Sequence, residues 1–495
     1  MAPVSFTLNK KGTLNLPGIT AEAKKTVEQL LLKDVEDHHC FFNASSFHNH
    51  LSHHLLAAYD IGTPVGALKK MYDEEAKVQR PRYLQDRDKN IVVNKDNWIQ
   101  YLNNNRQVKI KTTAYGAFVD FFEEEVRAIG ASNALEKYIF SEDANKDGRL
   151  MFVRFTSGAL HPFIQIGYGV EFGNDELVVS GMAQAAMHKP TIPDIWEWAR
   201  TGPPTAGQGL SLLEILREAY DSSALKPGPY DGDKLFNTRM AEALANGGDE
   251  AIKKLVAQYH ITNNPTSADI SKAVEEIIWT ATLLMFGSGR PGRKPRLDFF
   301  LMHIVTSSIF LKHFAAVLKK PEHQAALIRT FIANLLIIML SRGRPRIDAG
   351  LAMAPNAVPR PPVPSNERPA KTAIGDPNND ADYNPWPALI EGVQYHSDPH
   401  VVKAMRTLLF AAQEYGATPA GGIPGAFRSP TGESLNEASK IHGEETHVGI
   451  GKVDGTLFVR SAGVLMDTLG WLNFGQEEGE WDRSALGWDG AWAKN

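Results

Sequence analysis

Apolar residues recur at three- and four-residue spacing over 20–35, 46–59, 66–79, 115–140, 209–222, 268–286, 297–318, 322–342 and 399–414. This is the period of helices that bury one face, and alternating runs are few. The pattern predicts a mainly α protein, a large multi-helix single body, with no repeat of the solenoid kind. Residues 343–370, GRPRIDAGLAMAPNAVPRPPVPSNERPA, carry seven prolines. Proline lacks an N–H and fixes φ, so no regular element is expected there, and the stretch reads as a linker or lid. The Gly-, Glu- and Trp-rich stretch 415–495 is expected to wrap as loops and short strands, with HVGIGKVDGTLFVR as a hairpin turning at Asp454-Gly455. The organisation expected is a helical core over 1–342, the Pro-rich linker or lid over 343–370, and a helix followed by a loop-rich wrap over 371–495. All three are expected to pack into one catalytic domain.

A chain of 495 residues can bury a sizeable core. Its formal net charge of -5 argues against a general polyanion binder, so nucleic acid is not an expected partner. Cys40 is the sole cysteine, which excludes an intramolecular disulfide and a Cys-rich metal site. The N-terminal stretch lacks the apolar core of a signal peptide, and the apolar run TFIANLLIIML at 330–340 is too short to span a bilayer. A cytoplasmic chain with no membrane partner is the expectation.

Two motifs look familiar and fail. DANKDG at 143–148 places Asp143, Asn145, Asp147 and Gly148 as a calcium loop would, yet the twelfth position is Arg154 where a bidentate Glu is needed. It reads as an acidic turn. GSGRPG at 287–292 has dinucleotide-loop spacing without a strand before it, so it reads as a tight loop, with Arg290, Arg293, Lys294 and Arg296 as a solvated basic patch or an anion contact.

Histidine is where chemistry is expected. Six of sixteen lie at 38–54, in EDHHCFFNASSFHNHLSHHLLAAYDIG. Ser45 and Ser46 can cap a helix over about 47–59, which sets His50 and His54 one turn apart on one face, the spacing with which two imidazoles reach one metal. Any one of these histidines has an alternative reading as a core residue bonded to backbone. In YHSDPHVVKAMRTLLF, Asp398 and Pro399 read as N-cap and first helical residue, with His400 and Lys403 on a common face. His161 precedes Pro162 at a bend, and His303 sits within an apolar helix, where a polar ring demands a partner.

FHNHLSHHLLAAYDIG, ALHPFIQIGYGVEFG, WTATLLMFGSGRPGRKPRLDFFLMHIVTSSIF and YHSDPHVVKAMRTL together resemble the questin oxidase family of fungal polyketide-tailoring enzymes, from about residue 40 onward. The resemblance implies a mainly helical fold and an oxygenase that cleaves or ring-expands anthraquinones or related polyketides with O2. It also implies one of two cofactor states: Fe(II) held by four histidines and a carboxylated lysine, or no cofactor, with O2 meeting a reduced hydroquinone substrate. Carried over, the ligands are His54, His161, His303, His400 and Lys403, with His50 as the leading replacement. His50, His54 and His303 are the catalytic candidates, and Phe299, Phe300 and Met302 the expected substrate contacts. No flavin is expected, NADPH enters only through substrate reduction, and a separate reductase is the one protein partner foreseen. An oxygen-independent hydrolase or isomerase using His acid/base pairs, or a helical ligand-binding protein, is the alternative.

Overall fold

The structure, a computed structural model, describes residues 7–103, 114–203, 209–363, 369–428 and 443–493. Among these residues α-helices dominate, and β-structure is confined to isolated bridges such as Phe41 with His48 and Phe427 with Glu445. The chain divides into two compact units, the first built from Met1–Thr201, Ile261–Ser271 and Ile309–Phe331, the second from Gly202–His260, Lys272–Ser308 and Ile332–Asn495.

In the first unit the helices used below are α1 (Ala21–Asp37), α2 (Leu51–Asp60), α3 (Val65–Ala76), α4 (Tyr115–Ile129), α5 (Ser157–Phe172) and α6 (Asp175–Met187). α6 packs against both α4 and α5. Its start is set by Asn174, whose side chain accepts from Leu177 N, as an N-cap should. The acidic turn at 143–148 is structural: Asn145 donates to the carbonyls of Ile139 and Ser141 and accepts from Phe152 N.

In the second unit the principal helices are α7 (Leu212–Asp221), α8 (Ser267–Phe286), α9 (Phe299–Ser308), α10 (Pro321–Ser341), α11 (Ala349–Met353), α12 (Pro399–Tyr415) and α13 (Leu457–Leu469), of which α8 and α10 also give residues to the first. The apolar run at 330–340 belongs to α10, which at 21 residues is long and apolar enough to cross a membrane, although 94% of its apolar window is buried within the protein. A buried core helix is what the residues around it make of it.

Three local expectations are corrected. The segment 297–318 is two helices, α9 and a second one over Leu311–Val317. The Pro-rich stretch contains α11, which Asp348 starts by accepting from Leu351 N before the prolines crowd together; residues 364–368 lie outside those described. The hairpin at Asp454-Gly455 is absent. Asp454 instead accepts from Thr456 N at 2.8 Å and its carbonyl from Leu457 N at 3.0 Å, so the turn opens α13, which packs on α12.

The loop 287–298 also departs from a solvated patch. Arg296 donates to the Asp482 carboxylate at 2.8 Å and to the Ala491 carbonyl at 2.9 Å, and lies over the Trp492 ring. Arg290 pairs with Asp489. These cations tie down the C-terminal wrap directly in front of α9. Asp298 then caps α9, with Oδ1 accepting from Phe300 N and Leu301 N and Oδ2 paired with Arg342 at 2.8 Å. Both partners are fully buried.

A buried ion pair with one member deleted leaves an uncompensated charge. Asp298→Ala should therefore lower stability by about 3–5 kcal/mol, read from the urea denaturation midpoint, whereas Asp298→Leu combined with Arg342→Met should recover most of it. Equal losses in the single and double variants would show that the pair is not what holds this region.

Candidate active site

Each unit holds its own group of buried imidazoles. In the first, α2 begins at Leu51 rather than near residue 47, because Asn49 Oδ1 accepts from Leu51 N and Ser46 adopts a left-handed φ of 64°. His50 becomes the N-cap residue. His50 and His54 are still one turn apart, but they turn to different partners. His50 Nε2 meets His161 Nε2 at 2.9 Å, while His54 Nδ1 bonds the Glu75 carboxylate on α3. His54 Nε2 is buried without a hydrogen-bond partner among the described residues. His53 stacks on Tyr168 at 5.4 Å.

His161 does sit at a bend. Pro162 disfavours helical backbone in the residue before it, and Gly158, Ala159 and Leu160 all adopt left-handed angles, φ 59°, 53° and 68°. Two of the three carry side chains and so hold strain. The bend brings the Gly158 carbonyl to His161 Nδ1 at 2.5 Å. A carbonyl only accepts, so Nδ1 carries the proton, the lone pair is on Nε2, and His50 is the donor in the pair. His48 and His188, which no pattern in the sequence singled out, lie beside them. Their Nε2 atoms are 2.8 Å apart, and His48 stacks on His161. Burial, and after it the Arg154 cation, lower the His188 pKa to about 4.

The second group is built on α9 and α12. His303, fully buried, donates Nδ1–H to the Phe299 carbonyl at 2.8 Å, again leaving the lone pair on Nε2. α12 starts as its sequence predicts: Asp398 Oδ1 accepts from His400 N, and Pro399 follows it. The same Oδ1 accepts His400 Nδ1–H at 2.8 Å, and Oδ2 accepts from Trp481 Nε1 at 2.6 Å. His396, which the sequence reading passed over, braces this turn by accepting from Asp398 N and donating to the Leu469 carbonyl. Burial pushes the Asp398 carboxyl up, but the His400 and Trp481 contacts win and hold it far below the usual range. His400 is lowered to about 4, by burial first and the Lys403 charge second, so it is neutral near pH 7. Its ring lies 5.4 Å from that of His303. Lys403, one turn along α12, is 2% exposed.

Of the expected substrate contacts, Phe299 and Phe300 pack on the His303 ring. Phe299 meets the His303 and His400 rings edge-on at 4.9 and 5.0 Å, with Arg483 above its face. Phe300 stacks on Phe236 at 3.9 Å, and Met302 accepts from the Thr306 hydroxyl in the core. Of the imidazoles predicted as ligands, His54 and His161 belong to the first unit, His303 and His400 to the second.

These groups can be compared with known proteins. The chain is 27% identical over 326 residues to a Baeyer-Villiger monooxygenase of Cryptosporiopsis sp., a match covering 63% of this chain and 68% of that one. It is 28% identical to a Baeyer-Villiger oxidase of Paecilomyces divaricatus, covering 63% of this chain and 66% of the relative, just under two thirds of its length. A questin oxidase of Aspergillus fumigatus is 25% identical over 401 residues, 78% of this chain and 80% of that enzyme. The questin oxidase-like family model matches residues 47–408, a span that holds both imidazole groups and most of the helices described above, and the chain belongs to that family.

Proposed function

We propose that this chain is an oxygenase that uses O2 to cleave or ring-expand an anthraquinone or related aromatic polyketide. One observation supports this most: His161, His303 and His400 are buried, and each has Nδ1–H held by a carbonyl or carboxylate so that the lone pair sits on Nε2. Metal-ligating histidines are held in this way, with the outer nitrogen donating to an acceptor. Imidazole-rich donor sets suit iron. In the second unit the residues that would hold Fe(II) are His303, His400 and Lys403 as its carbamate; in the first, the candidates are His161 and His50, which takes the place of His54, and their Nε2 atoms, 2.9 Å apart and sharing a proton, would have to part to admit a metal. Bound there, iron would supply the one-electron chemistry by which triplet oxygen reacts with a closed-shell molecule.

In the cofactor-free state the proton transfers fall to the protein's own groups. A neutral imidazole such as His303 can take a phenolic proton from a reduced, hydroquinone-form substrate through Nε2, then donate it to the oxyanion that develops. In the ring-expanding version one oxygen atom enters the bond beside a carbonyl and the other leaves as water, the hydroquinone giving two electrons. Phe299, Phe300 and Met302 provide the apolar surroundings that a flat aromatic requires. A separate reductase drawing on NADPH would form the reduced substrate.

His303→Ala and His400→Ala should each lower kcat by about a hundredfold or more, measured as O2 uptake with hydroxyanthraquinones reduced under nitrogen. Turnover that consumes no O2 would refute the oxygenase reading. Lys403→Ala should lose bound iron and activity together, and Lys403→Arg should not restore them, since a guanidinium stays charged; unchanged iron content and full activity in Lys403→Ala would remove the lysine from the reaction. With His400 held to about 4, its lone pair survives at pH values where an ordinary histidine is half protonated. In the cofactor-free state, where Lys403 keeps the positive charge that helps to lower His400, the acid limb of kcat/KM should therefore lie below about pH 5. A limb near 6.5 would contradict this.

A further inference from the structure

The second imidazole pair of the first unit calls for its own explanation. His48 and His188 are both buried, with Nε2 atoms 2.8 Å apart, ring planes within 2° and centroids 5.0 Å apart, so the rings meet tip to tip. Such an approach leaves room for one shared proton between the nitrogens, not for a metal bonded at about 2 Å to each. His188 Nδ1–H donates to the Gln184 carbonyl at 2.7 Å, which makes its Nε2 the acceptor and His48 Nε2 the donor. Arg154 in turn bonds the His188 carbonyl.

His48, fixed in this way, lies flat on His161, with centroids 3.7 Å apart and planes 8° apart. Phe41 closes the arrangement, meeting both rings of the pair edge-on at 5.3 and 5.4 Å. The turn before His161 is shaped around it. A Cβ on Gly158 would stand 2.3 Å from His188 Nε2 and 3.1 Å from His48 Nε2, so only glycine fits there, and its φ of 59° favours glycine as well. That same Gly158 gives the carbonyl that holds His161 Nδ1.

We propose that His48 and His188 are positioning residues for His161: His188 orients His48, and the flat face of His48 fixes the plane in which His161 presents Nε2. This rests on the reading of His161 as a working imidazole. The torsion that swings a histidine ring is broad and soft, and the hydrogen bonds at Nδ1 and Nε2 act along the edge of the ring and restrain its tilt only weakly. A ring stacked on its face restrains that tilt, and misdirection of a reacting group by about 1 Å can cost roughly a hundredfold in rate.

The test compares His48→Ala, His48→Phe, His188→Ala and His161→Ala in the full chain. It reads kcat and KM for O2 uptake with reduced hydroxyanthraquinones, together with the ring signals of His161 in 15N-histidine-labelled protein. His48→Ala should lower kcat about tenfold or more with KM within twofold, and His48→Phe, which keeps a flat ring, should recover most of the loss. In both alanine variants of the pair the single Nδ1-protonated signature of His161 should give way to a tautomer mixture. Wild-type kcat in His48→Ala while His161→Ala is inactive would overturn the positioning role. Wild-type kcat in His161→Ala would instead overturn the reading of His161, and the ring signals would still decide whether His48 fixes it. Should His48→Ala fail to fold, unchanged kcat and unchanged His161 signals in His188→Ala would overturn the proposal equally.

Discussion

A buried imidazole must satisfy two nitrogens, and the way this chain satisfies the first decides what the second can do. His161 gives Nδ1–H to Gly158, His303 to Phe299, His400 to Asp398 and His54 to Glu75. Three different local structures supply the acceptor: a strained turn, the carbonyl one turn back in the same helix, and carboxylates at an N-cap or on a neighbouring helix. Leaving any of these N–H groups unmade would cost about 1–3 kcal/mol in the dry interior. The bonds are therefore required by burial alone, and the orientation of Nε2 follows from them without further expense of structure. The proposed function would use a constraint that folding already imposes.

That constraint explains where the backbone is unusual. Carbonyls inside a helix are engaged with amides four residues on, so His303 has to share the Phe299 carbonyl. His161 has no such neighbour at the start of α5, and three consecutive left-handed residues turn the Gly158 carbonyl toward it. Each non-glycine residue in that conformation costs on the order of 1 kcal/mol or more. Such strain persists only where the surroundings over-determine it, and here a hydrogen bond, a stacked ring and the contact with His188 all bear on the same turn.

Helices with one apolar face were legible from residue spacing, and most ends fell within a few residues of those observed, because capping by Asp398 is local chemistry. α2 was misjudged at its start because neither Ser45 nor Ser46 caps it: Asn49 Oδ1 takes Leu51 N and His50 stands at the N-cap, a choice made by the surrounding fold. Asp454-Gly455 has the composition of a hairpin turn, yet α13 forms after it since its apolar face packs on α12. Within the candidate site, His303 and His400 were legible because a polar ring in an apolar run and an Asp-Pro start are sequence-visible. His188 was not, since nothing at the end of α6 distinguishes a histidine that meets His48 from one that merely ends a helix. Nor was the divergence of His50 from His54, which depends on Glu75, 21 residues away from His54 along the chain.

Burial also sets the charge state that the proposed chemistry needs. Desolvation is the first cause lowering His39 to about 3 and His188 and His400 to about 4, so these rings stay neutral across the pH range in which an exposed histidine titrates. A neutral ring keeps its lone pair for a proton or a metal, whereas an imidazolium could do neither. The same shift makes the native state refuse protons that the unfolded chain accepts below about 6.5, so stability must fall as pH drops from there toward 4. Near pH 7 nothing is lost, because the unfolded histidines are mostly neutral too. The depressed carboxyl of Asp398 acts in the same direction at still lower pH, its contribution being present above the unfolded carboxylate range and lost on acidification. Neutral, oriented imidazoles and an acid-sensitive fold are therefore two consequences of one act of burial.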